Sequence, residues 1–166
     1  MRELGSSVRG AARVYFTGGA TAVMHGWRET TIDIDVRFSP ELDELYRALP
    51  DLKEKLSVNV ELASPPDFIP ALPGWEDRSI YIGREGKLDF YHFDPYSQAL
   101  AKIERGHQHD LSDVRSMIDR GLVDPKRLLT LFEGIKPEIY RYPALNADKF
   151  SVAVNKIVDE VGREDR

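Results

Sequence analysis

The stretch TGGATAVMHGWRETTIDIDVRF, residues 17–38, sets two adjacent glycines after one apolar segment and two alternating aspartates inside the next. The preceding residues ARVYF form a short apolar run, which predicts a buried strand that ends at the glycines. ATAVMHGW is rich in helix-forming residues and has Gly26 near its end, which predicts a short helix. The stretch therefore predicts a strand, a glycine turn, a helix and a second strand.

The second strand carries its acids on one face. In TTIDIDVRF, the residues Ile32, Ile34 and Val36 alternate with Asp33 and Asp35. Alternation sends both carboxylates to the same side, about 7 Å apart along the strand. Carboxylates in this arrangement can bind Mg²⁺ or Mn²⁺, which also bind phosphate oxygens. A glycine turn before a helix lets backbone N–H groups approach a phosphate.

Each of these signals has a simpler interpretation when it stands alone. A pair of aspartates on a strand is often only solvated, and a Gly-Gly pair is often only a turn. Their order and spacing together favour a site for a nucleoside triphosphate and its metal ion. The chain has no GxxxxGK[ST] loop, no GxGxxG fingerprint and no HExxH motif, so those three kinds of site are excluded.

The rest of the chain alternates strands and helices before it becomes mostly helical. We predict a helix in SPELDELYRALPDL with Ser39 as N-cap and Pro40 at its first position. SVNVELA predicts a strand with Asn59 and Glu61 on one face, and SIYIGREGKLDFYHF predicts a hairpin. ASPPDFIPALPGWEDR predicts a long ordered loop. Three helices are then predicted, in DPYSQALAKIERG, DLSDVRSMIDRG and DPKRLLTLFEGI, where Asp110 is expected to be an N-cap.

The composition limits the classes of protein. The 166 residues are enough for one domain with a core, and 42% of them are hydrophobic. A net charge of −5 provides no overall basic surface for nucleic acid. There is no cysteine, so disulfides and thiolate zinc sites are excluded. No segment has the length and hydrophobicity of a signal peptide or membrane span, so we expect a cytoplasmic protein with no membrane partner.

These patterns predict an α+β fold. Residues 1–93 are expected to form an α/β core with a mixed β-sheet flanked by helices. Residues 94–166 are expected to form a helical C-terminal part packed on that core.

The residues FTGG, a spacer and IDIDV resemble the signature of the nucleotidyltransferase superfamily of polymerase-beta type. The fuller stretch GGATAVMHGWRETTIDIDV resembles its small stand-alone branch, typified by AbiEii-type toxins of toxin–antitoxin loci. DPYSQALAKIERGHQHDLSDV is similar to the second conserved block of that branch. The resemblance spans most of residues 17–114, and its first block is the more specific one.

The resemblance implies roles for named residues. Asp33 and Asp35 would be metal ligands, and Gly18 and Gly19 would form the phosphate-binding turn. Arg28 and Lys102 match basic positions of the branch and would bind the triphosphate. Arg105, three residues after Lys102 on the same predicted helix face, would assist it.

A third carboxylate completes such a site in the superfamily and can act as base for the acceptor hydroxyl. Glu61 is the first choice for this catalytic and metal-binding role, and Asp89 is the competitor. The superfamily more often uses aspartate there, whereas Glu61 is a glutamate. Asp113 would join the site only if its helix points inward.

The leading hypothesis is a Mg²⁺- or Mn²⁺-dependent enzyme that moves a nucleoside monophosphate from a nucleoside triphosphate to a hydroxyl acceptor. The toxin-like branch implies tRNA or a partner protein as acceptor, and an antitoxin as partner. The alternative is a catalytically inactive nucleotidyltransferase-like domain that binds nucleotide or a partner protein. The third hypothesis is a general soluble scaffold, in which the glycine–aspartate spacing is a coincidence.

Overall fold

The structure is a computed structural model that describes residues 1–164. The chain divides into two compact units. The first comprises Met1–Ser64 and Arg78–Phe93, and the second comprises Pro65–Asp77 and the chain from Asp94 onward. The sheet lies in the first unit and most of the helices lie in the second. The predicted α+β fold with a mixed sheet is confirmed.

The first unit is built on a sheet that has five strands within the described residues, in the order β3-β2-β1-β5-β4. The central strand β1 is antiparallel to β2 and parallel to β5, while β2 is parallel to β3 and β4 is antiparallel to β5. The strands are β1 (Ala12–Thr17), β2 (Asp33–Ser39), β3 (Asn59–Leu62), β4 (Ile80–Glu85) and β5 (Leu88–His92).

Three helices accompany this sheet in the first unit: α1 (Arg2–Ser7), α2 (Gly18–Met24) and α3 (Asp43–Leu56). One face of the sheet packs against α1 and α3. It is formed by alternate residues of β1, β2 and β5, including the fully buried Val14 and Phe90. Burial of this apolar face drives formation of the unit and leaves the other face for polar side chains.

The second unit is helical. Its longest helices each bury an apolar stripe, as amphipathic helices do. Two 3₁₀ helices, Pro65–Asp67 and Lys136–Arg141, also belong to it. The α-helices are α4 (Trp75–Arg78, at the boundary of the units), α5 (Pro95–Arg105), α6 (Gln108–Asp119), α7 (Pro125–Ile135) and α8 (Ala147–Glu164).

Several predicted boundaries need correction. The helix after β2 begins at Asp43 with Leu42 as N-cap, so the prediction of Ser39 as N-cap was wrong. Ser39 instead ends β2, where it pairs with Arg13. Ile32 precedes β2 and is 89% exposed, so it does not share the buried face of Ile34 and Val36.

Other predictions of local structure are confirmed. Asp94 is the N-cap of α5, accepting a hydrogen bond from the Tyr96 backbone N–H, and Gly106 ends that helix in a left-handed conformation. Asp124 caps α7 in the same way, since its side chain accepts a hydrogen bond from the backbone N–H of Arg127. Within the described residues, no helix combines the length and apolar character needed to cross a bilayer.

Candidate functional site

The first glycine of the turn allows a carboxylate to approach the backbone closely. Gly18 is the first residue of α2 and has φ of +61°, a conformation that favours glycine. A Cβ placed on Gly18 would lie 2.7 Å from Oδ2 of Asp35. The start of α2 and the Asp35 side chain are therefore immediate neighbours, and a larger residue at position 18 would displace one of them.

The second glycine gives space to the loop that leads into β2. A Cβ on Gly19 would collide with the hydroxyl of Thr31. That hydroxyl donates a hydrogen bond to the carbonyl oxygen of Asp33 at 2.9 Å. Gly19 thus lets Thr31 fix the backbone at the first residue of β2. No local sequence pattern marks Thr31, because its role depends on how the loop folds back.

The register of the sheet brings three carboxylates to one region. Asp35 lies opposite Thr17 on β1 and opposite Glu61 on β3. Residues directly opposite each other on neighbouring strands point to the same face, so Asp33, Asp35 and Glu61 share a face. Asp33 and Asp35 are half-buried, and Glu61 is exposed at the edge strand.

An asparagine joins two of these acids. Asn59 lies opposite Asp33. Its side-chain Nδ2 donates to Oδ1 of Asp33 at 2.6 Å and to Oε1 of Glu61 at 3.0 Å. The alternation of β3 already put Asn59 and Glu61 on one face, but the contact with Asp33 follows only from the strand register.

The competing acid Asp89 lies elsewhere. It is on β5 opposite Arg13, which in turn lies opposite Ser39, four residues along β2 from Asp35. This offset alone is about 13 Å along the strand. Asp89 also forms an ion pair with Arg84 at 3.5 Å. Of the two candidates for a third carboxylate, the structure places only Glu61 beside Asp35.

Arg28 belongs to the loop between α2 and β2. Its backbone N–H donates to the carbonyl oxygen of Ala22 at 3.3 Å, so the loop folds back on the end of α2. The residue is half-buried. Its predicted contact with phosphate stays a prediction.

Two histidines support α2 from within the first unit. The rings of His25 and His92 lie 4.3 Å apart between centroids, and Trp27 stacks on His25. The Thr21 hydroxyl donates to the carbonyl oxygen of Phe16 at 3.3 Å, so we assign Nδ1–H of His92 as the donor to Thr21 Oγ1 at 3.2 Å. Burial, and then the neighbouring His25, lower the pKa of His92 to about 4. His92 is therefore neutral near pH 7.

The basic residues of the second block form a buried network in the helical unit. Lys102 on α5 donates to Oδ2 of Asp113 at 2.7 Å and to Oδ1 of Asp110 at 3.2 Å, and all three side chains are buried. Arg105, whose side chain is about half exposed, donates to the same Oδ1 of Asp110 at 2.6 Å. The phosphate-binding roles predicted for Lys102 and Arg105 stay predictions.

The N-cap prediction for Asp110 was wrong. Helix α6 begins at Gln108 with His107 as N-cap, and Asp110 lies inside its first turn. The charge of Asp110 is matched by Lys102 and Arg105. The sequence pattern favoured a cap because aspartate is common at that position. It does not show that Lys102 and Arg105 on α5 contact this aspartate.

The acids fit a metal ion that is completed by a substrate. Within residues 1–164 no three acidic or imidazole side chains are arranged to hold one ion by themselves. Mg²⁺ in phosphoryl-transfer sites is typically bound by one or two carboxylates and by phosphate oxygens of the substrate. Asp33 and Asp35 are two candidate oxygen donors on one face of β2, and the close approach of Gly18 to Asp35 puts Asp35 beside the glycine turn.

Comparison with known proteins identifies a family. A family model described as "Nucleotidyltransferase of unknown function (DUF6036)" matches residues 1–161. No curated protein and no solved structure matches the chain significantly.

Proposed function

Because this chain belongs to the DUF6036 family, described as nucleotidyltransferases of unknown function, we propose that it transfers a nucleoside monophosphate from a nucleoside triphosphate to a hydroxyl acceptor. We further propose that the reaction depends on Mg²⁺ or Mn²⁺ and takes place at Asp33, Asp35 and Glu61. Family membership supports the general class of reaction. The cofactor, the substrates and the residue roles belong to the proposal.

One observation carries the proposal. The strand register puts Glu61 opposite Asp35, and the Asp35 carboxylate lies against the first residue of α2. The start of a helix presents backbone N–H groups that suit a phosphate. The carboxylates proposed to bind the metal ion and the turn proposed to bind phosphate are thus adjacent within one compact unit.

The proposed reaction is an in-line displacement at the α-phosphorus. The acceptor oxygen forms a bond to that phosphorus while the bond to the leaving pyrophosphate breaks. Glu61, exposed at the edge of the sheet, takes the proton of the acceptor hydroxyl. Gly18 and Gly19 hold the triphosphate through their backbone. Asp33 and Asp35, together with Glu61, would hold the metal ion, which would supply positive charge to neutralise the phosphates.

Charge on the triphosphate also needs basic side chains. In this proposal Arg28 supplies one from the loop after α2. The roles proposed for Lys102 and Arg105, which belong to the second unit, rest on the resemblance of the second block alone. The proposed acceptor is tRNA or a protein hydroxyl, and an antitoxin is a proposed partner. The proposed compartment is the cytoplasm.

The test is a transfer assay with nucleoside triphosphates labelled at either the α- or the γ-phosphorus, with tRNA and protein as acceptors. We expect label in the acceptor from the α-position only, and only when Mg²⁺ or Mn²⁺ is present. Asp33→Asn and Asp35→Asn should abolish transfer. Asp51→Asn, which removes the same charge from an exposed position of α3, should keep full activity.

Transfer of the γ-label would show a kinase reaction and contradict the proposal, as would full activity of both aspartate variants. Metal-dependent nucleotide binding without any transfer would favour the catalytically inactive domain. That alternative has one observation in its favour: no ready-made group of three acids exists among residues 1–164.

A further inference from the structure

Asn59 occupies a place in the first unit that the proposed chemistry does not yet explain. It is the first residue of the edge strand β3 and lies opposite Asp33, two residues before Glu61. Its Nδ2 contacts one oxygen of each acid, at 2.6 Å and 3.0 Å. Because both oxygens contact one nitrogen, they lie within about 6 Å of each other.

The chemistry of the amide matches this position. Ionised carboxylates only accept hydrogen bonds, and an asparagine Nδ2 carries two hydrogens. These two hydrogens match the two contacts, one to Asp33 and one to Glu61. The amide therefore connects two like charges on neighbouring strands that would otherwise repel each other.

Other residue types would not do the same. A serine or threonine has a single hydroxyl hydrogen, and an aspartate has none when ionised. A lysine would bring a positive charge that competes with a metal ion for the same oxygens. Asparagine is neutral, so it can orient both acids and leave their negative charge for a cation.

From this geometry we propose that Asn59 is a positioning residue, whose side-chain amide orients Asp33 and Glu61 for metal binding. The proposal rests on the proposed function, since it concerns the same metal site. Outer residues that hydrogen-bond to metal ligands typically change metal affinity about 10–100-fold when they are replaced. Asn59 would act through the two acids, with no contact to substrate required.

The test measures Mn²⁺ binding by electron paramagnetic resonance titration, both to the protein alone and to the protein with a non-hydrolysable nucleoside triphosphate analogue whose phosphates complete the site. Asn59→Leu keeps the approximate shape and removes both donors, and Asn59→Ala removes the donors without adding apolar bulk. Asp33→Asn removes a ligand. Asn155→Ala is the matched control, because Asn155 is exposed on α8 and its Nδ2 donates only locally, to the carbonyl oxygen of Ser151 at 2.8 Å.

We expect about a tenfold rise in the Mn²⁺ dissociation constant for both Asn59 variants and no change for Asn155→Ala. The metal-free Asn59 variants should stay folded with only a small decrease in thermal midpoint, because the two lost hydrogen bonds lie at the exposed edge strand, and weakened Mn²⁺ binding by a folded variant separates positioning from folding. If Asn59→Leu does not fold, Asn59→Ala decides the question.

Wild-type affinity in the Asn59 variants, with a loss in Asp33→Asn, would overturn the role of Asn59 and leave the proposed function in place. Wild-type affinity in Asp33→Asn as well would contradict the metal site itself and therefore both proposals. The two failures are thus distinguishable in one set of titrations.

Discussion

At the scale of single residues, the two glycines of the turn have different neighbours and predict different outcomes. A Cβ on Gly19 would collide with the Thr31 hydroxyl, whereas a Cβ on Gly134, exposed within α7, meets nothing within 4 Å. We expect Gly19→Ala to destabilise the protein by about 1–3 kcal/mol, as forced packing does. Gly134→Ala, the control, should stabilise it by about 0.5–1 kcal/mol. Urea unfolding of the two variants measures both changes, and equal stability of the two would contradict this account.

His92 gives a prediction of pH dependence. Burial, and then the nearby His25, hold the pKa of His92 at about 4, below the value of about 6.5 in an unfolded chain. The unfolded state therefore binds the extra proton first as the pH falls, so the contribution of neutral His92 is complete above pH 6.5 and is lost between pH 6.5 and 4. The difference between these two pKa values sets an upper limit of about 3 kcal/mol on this loss.

The measurement is the free energy of unfolding of wild type and His92→Gln between pH 7 and pH 4. The difference between them should change over this window, because the variant lacks the titrating group. His109→Gln removes an exposed histidine and should follow the wild type. A parallel pH dependence for wild type and His92→Gln would show that the histidine is not held neutral.

The sequence was informative for some residues of the site and silent for others. Gly18, Asp33 and Asp35 stand in a local pattern, so their order along the chain was enough to propose them as site residues. Glu61 and Asp89 could not be separated before the strand order was known. Thr31 and Asn59 act through contacts made across a loop and between strands, and local patterns do not encode such contacts.

At the scale of elements, the ion pairs between α5 and α6 predict a stability effect. Lys102 is buried and bound to two buried aspartates. Lys102→Met would remove the buried positive charge that both aspartates share and leave Asp110 with the half-exposed Arg105, which we expect to cost about 3–5 kcal/mol. The urea midpoint of unfolding would report this loss. Activity measured on a Lys102 variant has to be compared with its stability, because loss of the folded state would imitate loss of a phosphate contact.

Arg105→Gln is the matched comparison. Its guanidinium contacts the same Asp110 but is about half exposed, and partly exposed pairs contribute about 1 kcal/mol or less. A loss for Arg105→Gln as large as that for Lys102→Met would contradict the assignment of Lys102 as the main partner of the buried acids.

Element predictions succeeded where the signals were local. The alternation in β2 and the Asp-Pro starts of α5 and α7 predicted those elements within a few residues. The start of α3 was predicted too early because Ser39 and Pro40 match the sequence pattern of a helix start. In the structure Ser39 belongs to β2, where it pairs with Arg13. Asp110 was expected to be an N-cap but forms ion pairs with α5. These ion pairs are tertiary contacts, which a local sequence pattern does not show.

At the scale of the whole molecule, family membership and the geometry of the first unit both support the proposed nucleotidyltransferase function. The family model extends over residues 1–161, and the proposed metal-binding acids and glycine turn lie together in the first unit. The overall acidic charge of −5 gives tRNA no general attraction, so an RNA acceptor would need a local basic surface. Acceptor identity therefore has to come from assay of the intact chain.

Nucleotide binding at Asp33 and Asp35 is tested by thermal unfolding with each of the four common nucleoside triphosphates, with and without Mg²⁺. It compares wild type with Asp35→Asn and with Asp51→Asn. A ligand at about 100 times its dissociation constant stabilises the folded state by roughly 2.7 kcal/mol. We predict such a shift for at least one nucleotide, dependent on Mg²⁺, retained in Asp51→Asn and lost in Asp35→Asn. No shift with any nucleotide in the wild type, or an equal shift in Asp35→Asn, would contradict a nucleotide site at these aspartates.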